Sequence, residues 1–295
     1  MITTEFKQRV VTAITEDRQN YPSAAKQAVT LGISSAQLSR IAKGELEKVI
    51  SNPNWLSIGR RLNVSLQDRP TWKAAKTPTF EFIYNQLTDC KRDSVSALLC
   101  DSADIGKTFT AKFFVKENKN AVYIDCSQVK SKQKFVRQIA KQFGVIHTGR
   151  YADVYDDLVY YLQSIPMSAP PIIIVDEAGD LEYPAFLELK ALWNATENIC
   201  AWYMMGADGL KAKIESNLDR KKVGFTEILS RFGGSFQKVS PDGKENLEDF
   251  KKLQMGLVAR VNLEDTAVDL KNIYNKTGGS LRKLSAYAKN QNGNV

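Results

Sequence analysis

The sequence predicts an α/β fold: a parallel sheet flanked by helices, with an all-helical head before it and a small helical lid after it. Three observations predict it. The apolar run Val95–Cys100 leads through a tight turn, Asp101–Thr108 (DSADIGKT), into the helix-like run Phe109–Asn118. The stretch Ile172–Leu181 (IIIVDEAGDL) sets four branched aliphatic residues directly before Asp176-Glu177, as in a strand buried on both faces. Such runs alternate with helix-period segments, the β-α-β-α order of a parallel sheet.

The head comes first. Residues 1–70 carry ten Lys/Arg against six Asp/Glu, half of the chain's net charge of +8, which predicts a separate domain over residues 1–66. Phe6, Val10 and Ile14 recur at helical spacing, and Ser23 caps a second helix through Ala24, Ala25, Ala28 and Val29 to Leu31. Gly32-Ile33 break it. Ser34 with Gln37 has capping-box spacing and opens a third helix that turns Leu38 and Ile41 inward. Gly44 ends that helix, and Trp55, Ile58 and Leu62 predict a fourth. Helix, short turn, helix is the layout of helix-turn-helix DNA readers, and ISSAQLSRIAKGE resembles the recognition region of the repressor-like family. A bundle used for protein contacts is the alternative. If the capping box forms, Gln37 is partly occupied by backbone, leaving Arg40 and Lys43 for DNA phosphates. Gln67–Thr79, with Pro70, Pro78 and several Lys, reads as a linker.

The α/β domain is expected over residues 80–240. A strand, a turn ending in Gly106-Lys107-Thr108 and a helix wrap backbone N–H groups around nucleotide phosphates. Lys107 would neutralise phosphate charge and the Thr108 hydroxyl would hold Mg²⁺. The turn departs from G-x-x-x-x-G-K-[ST], because Asp101 stands at the first Gly and Asp104 lies inside. Two carboxylates there are unfavourable beside a triphosphate unless they point outward. Asp176 would complete the Mg²⁺ shell, and Glu177 could orient or deprotonate the attacking water. Further elements are the strand Ala121–Cys126, helices around Lys134–Phe143, Asp153–Ser164 and Tyr183–Thr196, and strands Ala201–Met205 and Phe236–Val239.

From Leu210 to Thr226 the chain is polar and basic. It reads either as a solvated loop or as a contact to a phosphodiester backbone through Lys211, Lys213, Arg220, Lys221 and Lys222. Arg231 is either a charge at a helix C-terminus or a residue presented to a neighbour's nucleotide. Residues 241–295 are expected to form the lid, with Arg282 able to fold back onto a γ-phosphate.

Composition narrows the function. A 43% hydrophobic content with no run near the ~20 residues that span a bilayer points to a cytoplasmic protein without a membrane partner. Cys90, Cys100, Cys126 and Cys200 are dispersed and His147 is the one histidine, which disfavours zinc sites and His-dependent triads. The basic balance favours a polyanion.

Taken together, the helix-turn-helix head, Gly106-Lys107-Thr108, Asp176-Glu177, Ser230-Arg231 and Gly279-Ser280-Leu281-Arg282 resemble the AAA+ ATPases. Over most of the chain the order and spacing are similar to the B protein of bacteriophage Mu and its transposon relatives. The resemblance implies an ATPase using ATP and Mg²⁺. Asp104, Ile105, Gly106, Lys107, Thr108, Phe109, Asp176 and Arg282 would bind nucleotide, Thr108 and Asp176 metal, while Glu177 and an arginine finger, Arg231, would be catalytic. Ala207 stands where the family places a polar sensor, often Asn, so that role is missing or has moved to Asp208. Such relatives self-associate on double-stranded DNA as a filament or ring, deliver it to a transposase in DNA transposition, and disassemble on hydrolysis. The alternatives are a replication-initiator or helicase-loader-like ATPase, and a nucleotide-gated DNA-binding module with little hydrolysis.

Overall fold

A computed structural model describes residues 2–62, 64–66, 72–263 and 269–292. Its centre is a parallel sheet of β1 (Ala97–Cys100), β2 (Ala121–Asp125), β3 (Ile172–Asp176) and β4 (Ala201–Gly206), in the order β1-β4-β3-β2. Alternate residues of each strand enter opposite cores. Leu99, Ile172, Ile174, Tyr203 and Met205 pack under α5 (Pro78–Asp93) and α6 (Lys107–Glu117). Leu98, Ile124, Ile173, Val175, Trp202 and Met204 pack under α7 (Lys132–Gln142), α8 (Tyr151–Gln163) and α9 (Tyr183–Ala195). Because the strands run parallel and in register, with Asp125 beside Asp176 and Cys100 beside Gly206, their carboxyl ends open on one rim. The strand expected at Phe236–Val239 contracts to a single bridge on the outer side of β1. There Gln237 N donates to Leu98 O at 2.9 Å and Cys100 N donates to Gln237 O at 3.0 Å.

Among the described residues the head has four α-helices, α1 (Thr4–Asp17), α2 (Ala24–Leu31), α3 (Ser35–Ala42) and α4 (Asn52–Arg61). Thr3, Ser23, Ser34 and Ser51 each cap one of them through the side chain. Phe6, Val10, Ile14, Leu31, Leu38, Ile41, Trp55 and Ile58 form a core separate from the sheet's. The head meets the α/β body through α2, where Lys26 Nζ lies 5.1 Å from the centre of the Tyr161 ring on α8.

Two expectations are corrected here. The linker predicted at Gln67–Thr79 ends early, because Thr77 caps α5 and Pro78 is its first residue, a position suited to proline's fixed φ. Residues 67–71 lie outside the described set. The remaining residues, 72–77, are docked: Trp72 and Ala75 join the lid core of Met255, Val258, Ala259, Ile273 and Leu284. Lys73 N donates to Asn262 Oδ1 at 2.7 Å, and Asn262 Nδ2 donates back to Lys73 O at 3.1 Å. The stretch Leu210–Thr226 is largely helical rather than a loop, divided between α10 (Asp208–Asp219) and α11 (Phe225–Arg231). Leu210, Ile214 and Leu218 make an apolar stripe beneath its charges. The lid is α12 (Lys244–Asn262), α13 (Leu270–Thr277) and α14 (Leu281–Asn292). The sequence also predicts a lid helix over Thr266–Lys276, and its start falls outside the described residues.

In the head, α1 and α4 approach so closely that a Cβ on Gly59 would sit 2.5 Å from Phe6 Cζ, inside a buried ring that cannot step aside. Gly59→Ala is therefore expected to destabilise the head by about 1–3 kcal/mol through overpacking. Thermal unfolding followed by circular dichroism checks this, and an unchanged curve would mean that Phe6 repacks freely.

Candidate nucleotide-binding site

The loop between β1 and α6 is shaped by Gly106 at φ 101°, a left-handed conformation that L side chains rarely adopt. It turns the chain into α6, whose first turn has no side-chain cap, so its N–H groups and the positive end of the helix dipole face the loop. Lys107 is buried beneath, and its Nζ donates to Asp101 O at 2.7 Å and Ser102 O at 2.6 Å. Burial lowers its pKa, opposed by the charges of Asp101, Asp176, Glu177 and Asp208.

Thr108 Oγ1 donates to Asp176 Oδ2 at 2.7 Å, joining the loop to the end of β3. The same oxygen accepts the Tyr123 hydroxyl at 2.7 Å, and Asp176 Oδ1 accepts Glu177 N at 2.9 Å. Glu177 follows at φ 50° and is exposed on the rim. Its pKa is raised, first by desolvation and then by Asp176. A hydroxyl and a carboxylate in contact are the hard oxygen donors Mg²⁺ takes, and the uncapped α6 turn suits phosphate, so these residues fit a magnesium nucleotide. Ile105 is buried in the loop. Phe109 is half-buried beside Phe113, with their ring centres 6.4 Å apart.

The two irregular aspartates both turn away from the loop's mouth. Asp101 is fully buried and accepts bonds from Ser102 N (2.7 Å), Val239 N (2.7 Å), Ser240 N (2.8 Å) and Ser240 Oγ. Asp104, at φ 65°, accepts from Ser280 Oγ and from Arg282 N at 3.0 Å, with Arg282 Nε 3.9 Å away. The side chain of Asp104, expected among the nucleotide ligands, thus faces the lid while its backbone stays in the loop. Arg282 comes to the loop, as its position after Gly279-Ser280-Leu281 suggests.

Arg231 does not come to this chain's own loop. Its Nε donates to Asn194 Oδ1 at 2.8 Å and its guanidinium lies 5.1 Å from the centre of the Trp193 ring. Trp193 Nε1 in turn donates to Ser96 Oγ at 2.9 Å, at the far end of β1 from the loop. Ala207 precedes α10, and Asp208 opens it, close enough for its charge to act on Lys107.

The candidate DNA contacts divide. Gln37 is occupied on both sides: its Oε1 accepts Ser34 N at 2.9 Å and its Nε2 donates to Val49 O at 3.3 Å. Arg40 pairs with Glu45 at 2.7 Å, while Lys43 is exposed at the end of α3. Lys213 is a correction. Its Nζ donates to Gly179 O at 2.8 Å and Leu181 O at 2.6 Å, bracing the loop after β3, and burial lowers its pKa. Lys211 lies 3.8 Å from Glu215. Arg220, Lys221 and Lys222 are exposed in the turn from α10 to α11. Lys222 Nζ sits 4.0 Å above the ring of Tyr183, which opens α9 on the ligand side of the sheet. Tyr123 was missed in the sequence because a tyrosine in an apolar strand reads as core, and no motif marks it.

Residues 76–214, just under half of the chain, match the family model described as "AAA domain". No curated protein matches the chain. Among solved structures, Cdc6p from Pyrobaculum aerophilum is similar with a TM-score of 0.55 and 19% identity, covering 76% of this chain and 65% of that one. The ORC1 protein of Aeropyrum pernix, solved in complex with DNA, aligns with a TM-score of 0.44 and 17% identity over 65% of this chain and 52% of that one. The chain therefore spans about half to two-thirds of the length of these proteins. The sheet and its flanking helices share the fold of Cdc6p, and the segment matching the AAA domain model lies within this α/β body.

Tyr123→Phe keeps the ring and removes one of the two donors on Asp176 Oδ2. The Mg²⁺ concentration needed for half-maximal binding of a fluorescent ATP analogue is expected to rise about tenfold or more, as when an outer-shell partner is lost. An unchanged Mg²⁺ titration would mean that Tyr123 does not support the metal site.

Proposed function

We propose that the chain is an ATP-hydrolysing AAA+ protein that binds duplex DNA and uses nucleotide turnover to load or remodel a protein there, a job of the replication-initiator or helicase-loader kind. The observation that carries the ATPase reading is the contact between Thr108 and Asp176 beside the uncapped first turn of α6. In this reading Lys107 leaves the loop carbonyls to neutralise β/γ-phosphate charge, and Thr108 and Asp176 hold Mg²⁺, which when bound offsets charge on the transferring phosphoryl group. Glu177 orients or deprotonates the attacking water, Arg282 reaches the nucleotide from the lid, and Arg231 serves the pocket of a neighbouring copy. Duplex DNA as partner is supported by the net charge of +8, by Lys43 and by the Arg220–Lys222 turn on the ligand side. The fold shared with Cdc6p favours the initiator-like job.

A second reading, delivery of target DNA to a transposase, is favoured by the helical head preceding the ATPase core, the domain order on which the resemblance to the Mu B relatives rests. Electron micrographs with ATP, Mg²⁺ and long duplex DNA separate the two. Continuous helical filaments support target capture, and discrete rings or small complexes support loading.

Glu177→Gln is expected to keep ATP affinity while slowing hydrolysis about 10²-fold or more, so that ATP-loaded DNA complexes persist. Wild-type turnover in this variant would remove Glu177 from the mechanism. Replacing Lys221 and Lys222 by Ala should weaken binding to all duplex sequences alike and flatten the log K against log salt slope by about one per lost phosphate contact. An unaltered slope would assign the DNA contact elsewhere.

A further inference from the structure

We infer that Asp101 and Asp104, the two residues that break the phosphate-loop pattern, are positioning residues that tie the loop to the segments leading into α12 and α14, and that the Asp104 tie is the gate through which nucleotide enters and leaves. The inference rests on the nucleotide-binding reading of the loop.

Each carboxylate reaches the approach to a different lid helix. Asp101 holds the segment that leads into α12, taking the N–H groups of Val239 and Ser240 together with the Ser240 hydroxyl. Held by backbone and hydroxyl donors and with no exposure to water, this carboxylate is a fixed anchor, since a buried charge cannot leave such a set without losing several hydrogen bonds at once. Asp104 holds the start of α14. Ser280 Oγ caps α14 by accepting Lys283 N at 3.1 Å, and its hydroxyl donates onward to Asp104, which also accepts Arg282 N at 3.0 Å. The phosphate loop therefore supplies part of the N-terminal cap of the last helix, where a carboxylate is favoured by the dipole.

The two ties differ in exposure. Asp101 is sealed, whereas the Asp104 side chain is about a quarter exposed and the Arg282 side chain is 79% exposed. The outer tie is the one that can open. Leu281 adds to the closure, because its Cδ1 would lie 3.7 Å from a Cβ placed on Gly106, directly over the loop. A lid hinged on Asp101 and fastened by Asp104 covers the cradle, and it must unfasten for exchange. The arrangement also lessens the repulsion that two carboxylates would exert on a triphosphate, since each is turned toward hydrogen-bond donors away from the loop's mouth.

The test uses the full chain, Asp104→Gly and Ser280→Ala. Glycine suits φ 65°, so the loop can keep its shape while the tie is lost. Stopped-flow mixing with fluorescent ATP and ADP analogues should show association and release both accelerated, each by about tenfold, the order expected for losing one or two hydrogen bonds to a charged group. The dissociation constant should move less than either rate. Ser280→Ala should add nothing to the two nucleotide rates in the Asp104→Gly background, because for exchange both changes break one tie, while its loss of the Lys283 cap shows only in hydrogen exchange. In the nucleotide-free protein, hydrogen exchange over residues 280–284 should quicken in Asp104→Gly. If exchange over 280–284 and both nucleotide rates stay at wild-type values in a folded Asp104→Gly protein, or if the two substitutions add independently, the gate is overturned while the nucleotide site stands. If the wild-type chain binds neither analogue, the nucleotide reading falls and the gate with it.

Discussion

One buried carboxylate holds the arrangement together. Asp176 is 1% exposed, and a charge so placed is tolerated only when hydrogen bonds replace the water it has lost. Its donors come from three different pieces of chain: Thr108 at the start of α6, Tyr123 on β2, and the backbone of Glu177. Glu177 is its neighbour in the chain, but Thr108 and Tyr123 reach it only if the central strands keep their parallel register. A slip of one residue on β2 would send Tyr123 to the other face and its neighbours into the wrong core. Site geometry and sheet register therefore constrain each other, and the long aliphatic packing of β3 secures both.

The parts of the fold legible in the sequence were those whose signal is local. Strands such as Ile172–Asp176 announce themselves by uninterrupted branched residues, and the turn before Lys107 by a glycine that must adopt a positive φ. The capping box of Ser34 and Gln37 formed as its spacing suggested. What the sequence hid depends on partners distant in the chain. Pro78 looks like a linker proline until Thr77 is seen to cap a helix, and 72–77 looks free until Asn262, nearly two hundred residues away, claims Lys73. Lys213 reads as solvated charge among other lysines, yet its ammonium is taken by two carbonyls after β3. The helix α10 was obscured because only Leu210, Ile214 and Leu218 carry its apolar face, among seven charged or polar neighbours.

The charged surface gains meaning from this sorting. Arg40, Lys211 and Lys213 have carboxylate or carbonyl partners, and Gln37 is engaged with backbone. The exposed Arg220–Lys222 turn then stands out by position as well as charge, since Lys222 rests on the Tyr183 ring at the rim where the strands end. Long-range attraction of a polyanion needs only the net charge, whereas local engagement needs donors on a firm support, and a cation over an aromatic face has one. Nucleotide and polyelectrolyte would thus approach the same rim of the sheet.

The docking of residues 72–77 on the lid has a mechanical consequence. Through Trp72 and Ala75 the chain that leaves the head is moored to the lid rather than to the sheet. Six residue steps separate Leu66 from Trp72, and a fully extended chain covers about 20 Å in that length. Because the chain between them cannot exceed that length, a displacement of α12 beyond it could not leave the head seated against α8, so a rotation next to the phosphate loop would be converted into a change in where the head can stand.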